Sequence, residues 1–147
     1  MKDQTIQQTE SEIIEDFSWF ETWEEKYEYI IELGKKLAPL DDHHKLEENK
    51  IKGCQSTVWL VANFDNGLVF YRADSDAVIV KGLISMLIKV LSGHTPDEIL
   101  EARLDFIGEI GMMTHLAQTR SNGLLAMIQQ MKNYALAFKT MQVAEKI

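Results

Sequence analysis

The sequence predicts an α+β fold, a small antiparallel sheet packed against several helices. Three observations carry this. Apolar residues recur at helical spacing before Pro39 and again after Asp76. The period switches to alternation from Thr57 to Phe64. Asp65-Asn66-Gly67 then separates two β-branched and aromatic runs with a hairpin signal, because Asn and Gly tolerate positive φ.

The elements follow in order. Ile6, Ile13, Ile14 and Phe17 outline a sparse first helix. Thr22-Trp23-Glu24-Glu25 reads as a capping box, with Thr22 as N-cap and Glu25 at the third helical position. Trp23, Tyr27, Ile30, Ile31, Gly34 and Leu37 continue that helix to Pro39. Asp41–Lys50 is polar and charge-rich, an exposed connector leading to the stretch around Cys54. Val58, Leu60, Ala62 and Phe64 alternate with Trp59, Val61 and Asn63, and Leu68–Ala73 forms the second strand. Apolar residues on both faces predict a sheet covered by helices. Asp74, Ser75 and Asp76 offer N-caps for a helix over about Ala77–Leu91, ended by Ser92-Gly93-His94. Thr95-Pro96-Asp97-Glu98 is a second capping box, with proline at the first helical position. Leu104, Ile107 and Ile110 predict a short helix ended by Gly111. Leu124, Ile128, Met131, Ala135 and Phe138 predict a long one near the C-terminus.

The chain has 147 residues and no repeat or linker, so a single domain over 1–147 is expected, with the residues before about 10 mobile. Its composition, 46% hydrophobic and 26% charged, is that of a soluble globular protein. No apolar run reaches bilayer length, and Met1–Thr5 lacks the apolar core of a secretion signal. One cysteine cannot close an intrachain disulfide, so a reducing cytoplasm is the expected compartment. A net charge of -8 argues against nucleic acid and anionic membrane as partners and is compatible with a basic protein surface.

The chemistry centres on Cys54, in Lys50-Ile51-Lys52-Gly53-Cys54-Gln55-Ser56-Thr57-Val58-Trp59. Gly53 permits a tight loop, and Lys50 and Lys52 are expected to favour the thiolate, the reactive species. A lone cysteine is equally well a small buried hydrophobe, and on these residues both readings stand. His115 offers a base for Cys–His acyl transfer, or is a structural histidine. Arg120 lies near a helix start, where the dipole disfavours a cation, so it binds a partner carboxylate or simply begins the helix. His43 and His44 read as solvated loop residues. Asp74 and Asp76 are paired carboxylates or helix caps. The seven methionines read as core filling. No phosphate-loop or dinucleotide glycine pattern occurs.

Together these blocks resemble the SufE family, the sulfur-acceptor partners of SufS-type cysteine desulfurases. The resemblance is carried by Trp23-Glu24-Glu25-Lys26-Tyr27 with Tyr29–Gly34, by Gly53-Cys54-Gln55-Ser56 with Val58-Trp59, and by Asp74–Ala77 with Ile79–Leu83. His115-Leu116, Arg120-Ser121 and Gly123-Leu124 with Ala126-Met127-Ile128 complete it. It is weak before Ser18, over Ala102–Met113 and after Gln130.

The resemblance implies the fold shared with IscU-like scaffolds. It implies that Cys54 takes persulfide sulfur from the desulfurase, stimulates it, and passes sulfur to a SufB-containing scaffold in iron–sulfur cluster assembly. Pyridoxal phosphate would sit on the desulfurase only. This chain would hold no cofactor or metal and would be an accessory carrier rather than an independent enzyme, as monomer or homodimer. Gly53, Gln55 and Ser56 complete the cysteine motif. Asp76 and Arg120 map to positions linked to the desulfurase contact or loop orientation, and His115 matches a family histidine of open role. Ala117-Gln118 stands where the family often has a proline. Two alternatives remain: an IscU-like cluster scaffold, which a single cysteine disfavours, and a Cys54/His115 hydrolase, for which no orienting group or oxyanion site is visible.

Overall fold

The computed structural model describes residues 4–145. Met1–Asp3, from the stretch read for a secretion signal, and residues 146–147 lie outside the described residues. The described elements are α1 (Ile6–Ser18), α2 (Trp23–Lys35), β1 (Val58–Asp65), β2 (Leu68–Ser75), α3 (Val78–Leu91), α4 (Pro96–Glu101), α5 (Phe106–Glu109), α6 (Met112–His115) and α7 (Gln118–Glu145). This is the α+β architecture that the sequence predicts.

Local chemistry sets most boundaries. Thr5 starts α1 through a reciprocal capping box with Gln8. Residues 6–9, expected to be mobile, are helical, with Ile6 and Thr9 buried. Thr22 caps α2 by accepting from the Glu25 N–H, and α2 ends at Lys35, before Pro39 is reached. The Thr95–Glu98 box is reciprocal. Asn66 and Gly67 both have positive φ, 51° and 80°, which matches the strand twist in a two-residue turn. The single turn α6 has too few residues to show a period, so the sequence does not reveal it.

The strands pair from Val58↔Ser75 to Asp65↔Leu68. Val58, Leu60, Val69, Tyr71 and Ala73 share the buried face. There α7 packs: the Tyr71 hydroxyl donates to the Met131 carbonyl at 2.6 Å, and Phe64 stacks on Phe138 at 5.1 Å. The opposite face is only half covered, which departs from the expected two-sided cover. Trp59, Val61 and Phe70 are half-buried there, with the Lys45 ammonium 5.5 Å from the Trp59 ring.

α2 and α3 meet backbone to backbone. A Cβ on Gly82 would lie 2.1 Å from the Ile30 carbonyl oxygen, and one on Gly34 would lie 2.7 Å from the Gly82 nitrogen. Behind that crossing α3 buries Leu83, Ile84, Leu87, Val90 and Leu91.

The N-cap of α3 is Ala77, with no side-chain cap, so Asp74 and Asp76 do not cap it. Asp74 extends β2 instead. Its carboxylate accepts the N–H groups of Leu40 at 3.2 Å and Ser75 at 2.8 Å, with Lys81 at 3.3 Å and Lys45 at 3.5 Å. Burial opposes its charge, but the two N–H donors and the Lys81 ammonium outweigh burial and hold its pKa below the ordinary value. A depressed folded-state pKa stabilises above the unfolded value of about 3.9, and that stabilisation is lost as pH falls through the folded value. Asp74→Asn is expected to cost about 2 kcal/mol at neutral pH. Urea melts should show the deficit shrinking in acid; a deficit independent of pH would refute this account.

Candidate functional site

The Cys54 loop is closed at its base. The Ile51 N–H donates to the Val58 carbonyl at 2.8 Å. The Thr57 N–H donates to Asp76 Oδ1 at 3.1 Å, and the Thr57 carbonyl accepts from Ser75 Oγ at 2.8 Å and from the Asp76 N–H at 3.3 Å. Asp76 therefore pins the loop's exit into β1, and Ser75, which sequence reasoning missed in this role, pins it from the same side. Only residues 52–56 lie between these ties. Gly53 has φ +94°, a left-handed conformation that disfavours any side chain.

Cys54 is half-buried, and its thiol donates to the Gly123 carbonyl on α7 at 3.6 Å. It opens on a cavity of about 280 Å³, lined also by Gln55, Ser56, Arg120 and the apolar Val80 and Met127. Burial pushes the thiol's pKa above its ordinary value. This corrects the expectation that Lys50 and Lys52 favour the thiolate. Lys50 pairs with Glu47 at 3.0 Å and Lys52 is exposed, so neither offsets the loss of solvent. Burial therefore disfavours the thiolate in the resting loop. Iodoacetamide alkylation of the folded protein is expected to show a pH midpoint above about 8.5, the free-cysteine value, unchanged in Lys50→Ala and Lys52→Ala. A lower midpoint in the wild type would refute the burial argument.

Arg120 sits in the first turn of α7, exposed. Among the described residues no carboxylate lies within ion-pair distance of it. A cation at a helix start without a partner carboxylate is electrostatically uncompensated, and this one faces the thiol's cavity.

His115 is elsewhere. Its ring stacks on Trp23 at 4.1 Å, its Nδ1 lies 3.0 Å from the Gly111 carbonyl oxygen, and its own carbonyl accepts from the Tyr27 hydroxyl. It does not line the Cys54 cavity. The structure thus brings Cys54, Gln55, Ser56 and Arg120 together, ties Asp76 to the loop base, and leaves His115 fastening the turn before α7 to α2. In the departure Ala117-Gln118, Ala117 lines the cavity and Gln118 begins α7, donating to Asn122 at 3.1 Å.

Sequence reasoning did not assign Val80, Gly123 or Met127 to the site, because they reach it from other elements. The one signal available was Gly123 itself, a glycine inside a helical pattern. Among the described residues no three histidine, cysteine or carboxylate side chains converge as metal ligands, and no helix is long and apolar enough to cross a membrane.

The chain resembles known proteins. A family model described as SufE, Fe-S metabolism associated domain, matches residues 11–135. A SufE-like protein of Rhizobium meliloti is 40% identical over 129 residues, covering 84% of this chain and 92% of the relative. One of Synechocystis sp. is 37% identical over 139 residues, covering 95% and 87%. SufE-like protein 1, chloroplastic/mitochondrial, of Arabidopsis thaliana is 44% identical over 126 residues, covering 85% of this chain and 34% of that longer protein. The solution structure of a hypothetical protein from Thermus thermophilus has a TM-score of 0.74 at 22% identity, covering 90% of this chain and 96% of that one, a likeness of fold. The family match runs through the Cys54 loop, the hairpin and most of the helix on which the thiol rests, and the chain belongs to the SufE family, associated with Fe-S metabolism.

Proposed function

We propose that this chain is a sulfur carrier for iron–sulfur cluster assembly, loaded at Cys54 by a SufS-type cysteine desulfurase and unloaded on a SufB-containing scaffold. The observation that carries this reading is the placement of the sole cysteine on a short loop, tied at its base, at the mouth of a cavity. A carried sulfur must be withheld from small reductants yet reach a partner's active site. A five-residue segment between fixed ties serves both needs.

In the transfer, Cys54 as thiolate attacks the outer sulfur of the desulfurase persulfide. A new S–S bond forms on Cys54, the old S–S bond breaks, and the desulfurase thiol is regenerated. One proton passes from Cys54 to the leaving thiolate, and no external oxidant or reductant is used. The cavity of about 280 Å³ has room for the extra sulfur, which takes roughly the space of a water molecule, ~30 Å³. The Arg120 guanidinium supplies positive charge beside an anionic persulfide. Burial keeps the empty thiol protonated and quiet at rest, and leaving the cavity restores its acidity and access.

Single-cysteine chemistry with no cluster of ligands among the described residues supports a carrier over a cluster scaffold. The separation of His115 from the thiol's cavity removes support for a hydrolase. Incubation with a SufS-type desulfurase and L-cysteine is expected to add one sulfur atom to the intact mass of this protein and to speed L-cysteine turnover. An unchanged mass beside a working desulfurase would overturn the proposal.

A further inference from the structure

Gly123 stands inside α7, where glycine is the least helix-favouring residue after proline. Its φ is not positive, so the backbone there does not require glycine. It is also buried. What the missing side chain leaves room for is Cys54. A Cβ on Gly123 would lie 3.4 Å from the Cys54 Sγ, 3.9 Å from its Cβ and 4.0 Å from its Cα, the three nearest atoms apart from its chain neighbours and the backbone of its own helix. The Gly123 carbonyl is also the acceptor of the thiol. One turn on, Ala126 does the same for the neighbouring loop residue: a Cβ on Gly53 would lie 3.4 Å from the Ala126 Cβ.

We propose that Gly123 is a positioning residue for Cys54: the notch left by its absent side chain, continued by the small Ala126, seats the cysteine loop in its closed state. The seat, rather than the loop's own sequence, then sets how often the thiol is presented. A methyl group at 123 just meets the sulfur at an ordinary contact distance, so alanine leaves the loop seated. A β-branched side chain adds two further carbons toward the loop and lifts it. This deepens the sulfur-carrier reading and rests on it only where a bound sulfur is concerned. On that reading the closed seat is what shelters the loaded sulfur between donor and acceptor.

The test compares wild type, Gly123→Ala and Gly123→Val in the full chain. Iodoacetamide labelling of Cys54 at neutral pH reads the seat without any sulfur donor. Gly123→Ala is expected to label within about twofold of wild type and Gly123→Val about tenfold faster, following access and restored acidity. Gly123→Ala should melt no lower than wild type, since alanine favours helix over glycine. Gly123→Val sets that gain against overpacking of a buried position, so its melt serves to show that it is folded. A folded Gly123→Val that labels at the wild-type rate overturns the proposal. If valine prevents folding, Ala126→Leu, which lifts the loop at its second point of rest, must speed labelling, and an unchanged rate there overturns it equally. After desulfurase loading, Gly123→Val should lose its sulfur to dithiothreitol faster than wild type. Faster labelling in a protein that never gains sulfur would sink the carrier reading while leaving the seat intact.

Discussion

Cys54→Ser is expected to abolish sulfur loading completely and to remove the stimulation of L-cysteine turnover by a SufS-type desulfurase. Serine nearly preserves the size of cysteine and can still donate to the Gly123 carbonyl that holds the thiol at 3.6 Å. What it loses is a polarizable nucleophile able to form an S–S bond. The loss is absolute, because the chain has no second cysteine to take over. The fold should survive, with stability within about 1 kcal/mol of wild type, as for substitutions that create neither a cavity nor a buried charge. Intact mass after incubation with desulfurase and L-cysteine, the desulfurase rate and a thermal melt check the three parts. A serine variant that stimulates as well as wild type would mean that stimulation comes from docking, not from sulfur removal.

Gly82→Ala is expected to damage the fold severely. The new Cβ would fall 2.1 Å from the Ile30 carbonyl oxygen and 2.6 Å from the Ile30 Cγ2. The first of these is backbone of the facing helix and cannot swing aside. Relief requires α2 and α3 to separate along their contact, where Gly34 leaves no slack on the other side. Overpacking of this kind costs about 3 kcal/mol or more, a drop of roughly 6–12 °C in Tm for a domain of this size. Gly108→Ala is the control, since a Cβ there meets nothing within 4 Å. Equal melting temperatures for the two variants would disprove the close crossing. The consequence reaches the site, because α3 carries Val80 of the cavity wall and Lys81 on Asp74, and α2 carries Trp23 and Tyr27 on His115.

Several features were legible because their causes are local. Thr22 and Thr95 cap helices through N–H groups three residues on, and Asn66-Gly67 turns a hairpin through its own φ angles. Helical and strand periods announced α2, α3, α7 and the hairpin, and the cysteine motif pointed at Cys54. Local rules also misled. Asp74 and Asp76 have the composition of caps, yet their partners are Leu40, Lys45, Lys81 and Thr57, brought in by the chain's path. Lys50 and Lys52 are close to Cys54 in sequence, yet burial, not their charge, governs the thiol.

The class of fold, the order of most of its elements and the single cysteine all follow from the chain read residue by residue. Capping, turning and periodicity act over a few positions, and a lone thiol has no substitute. The surroundings of that cysteine come from packing instead: burial that disfavours the thiolate, a hydrogen bond to the Gly123 carbonyl, Arg120 at its cavity, and a histidine set apart on Trp23. Desolvation and close approach depend on which distant backbone arrives beside a group, and no local pattern around Cys54 encodes the arrival of α7.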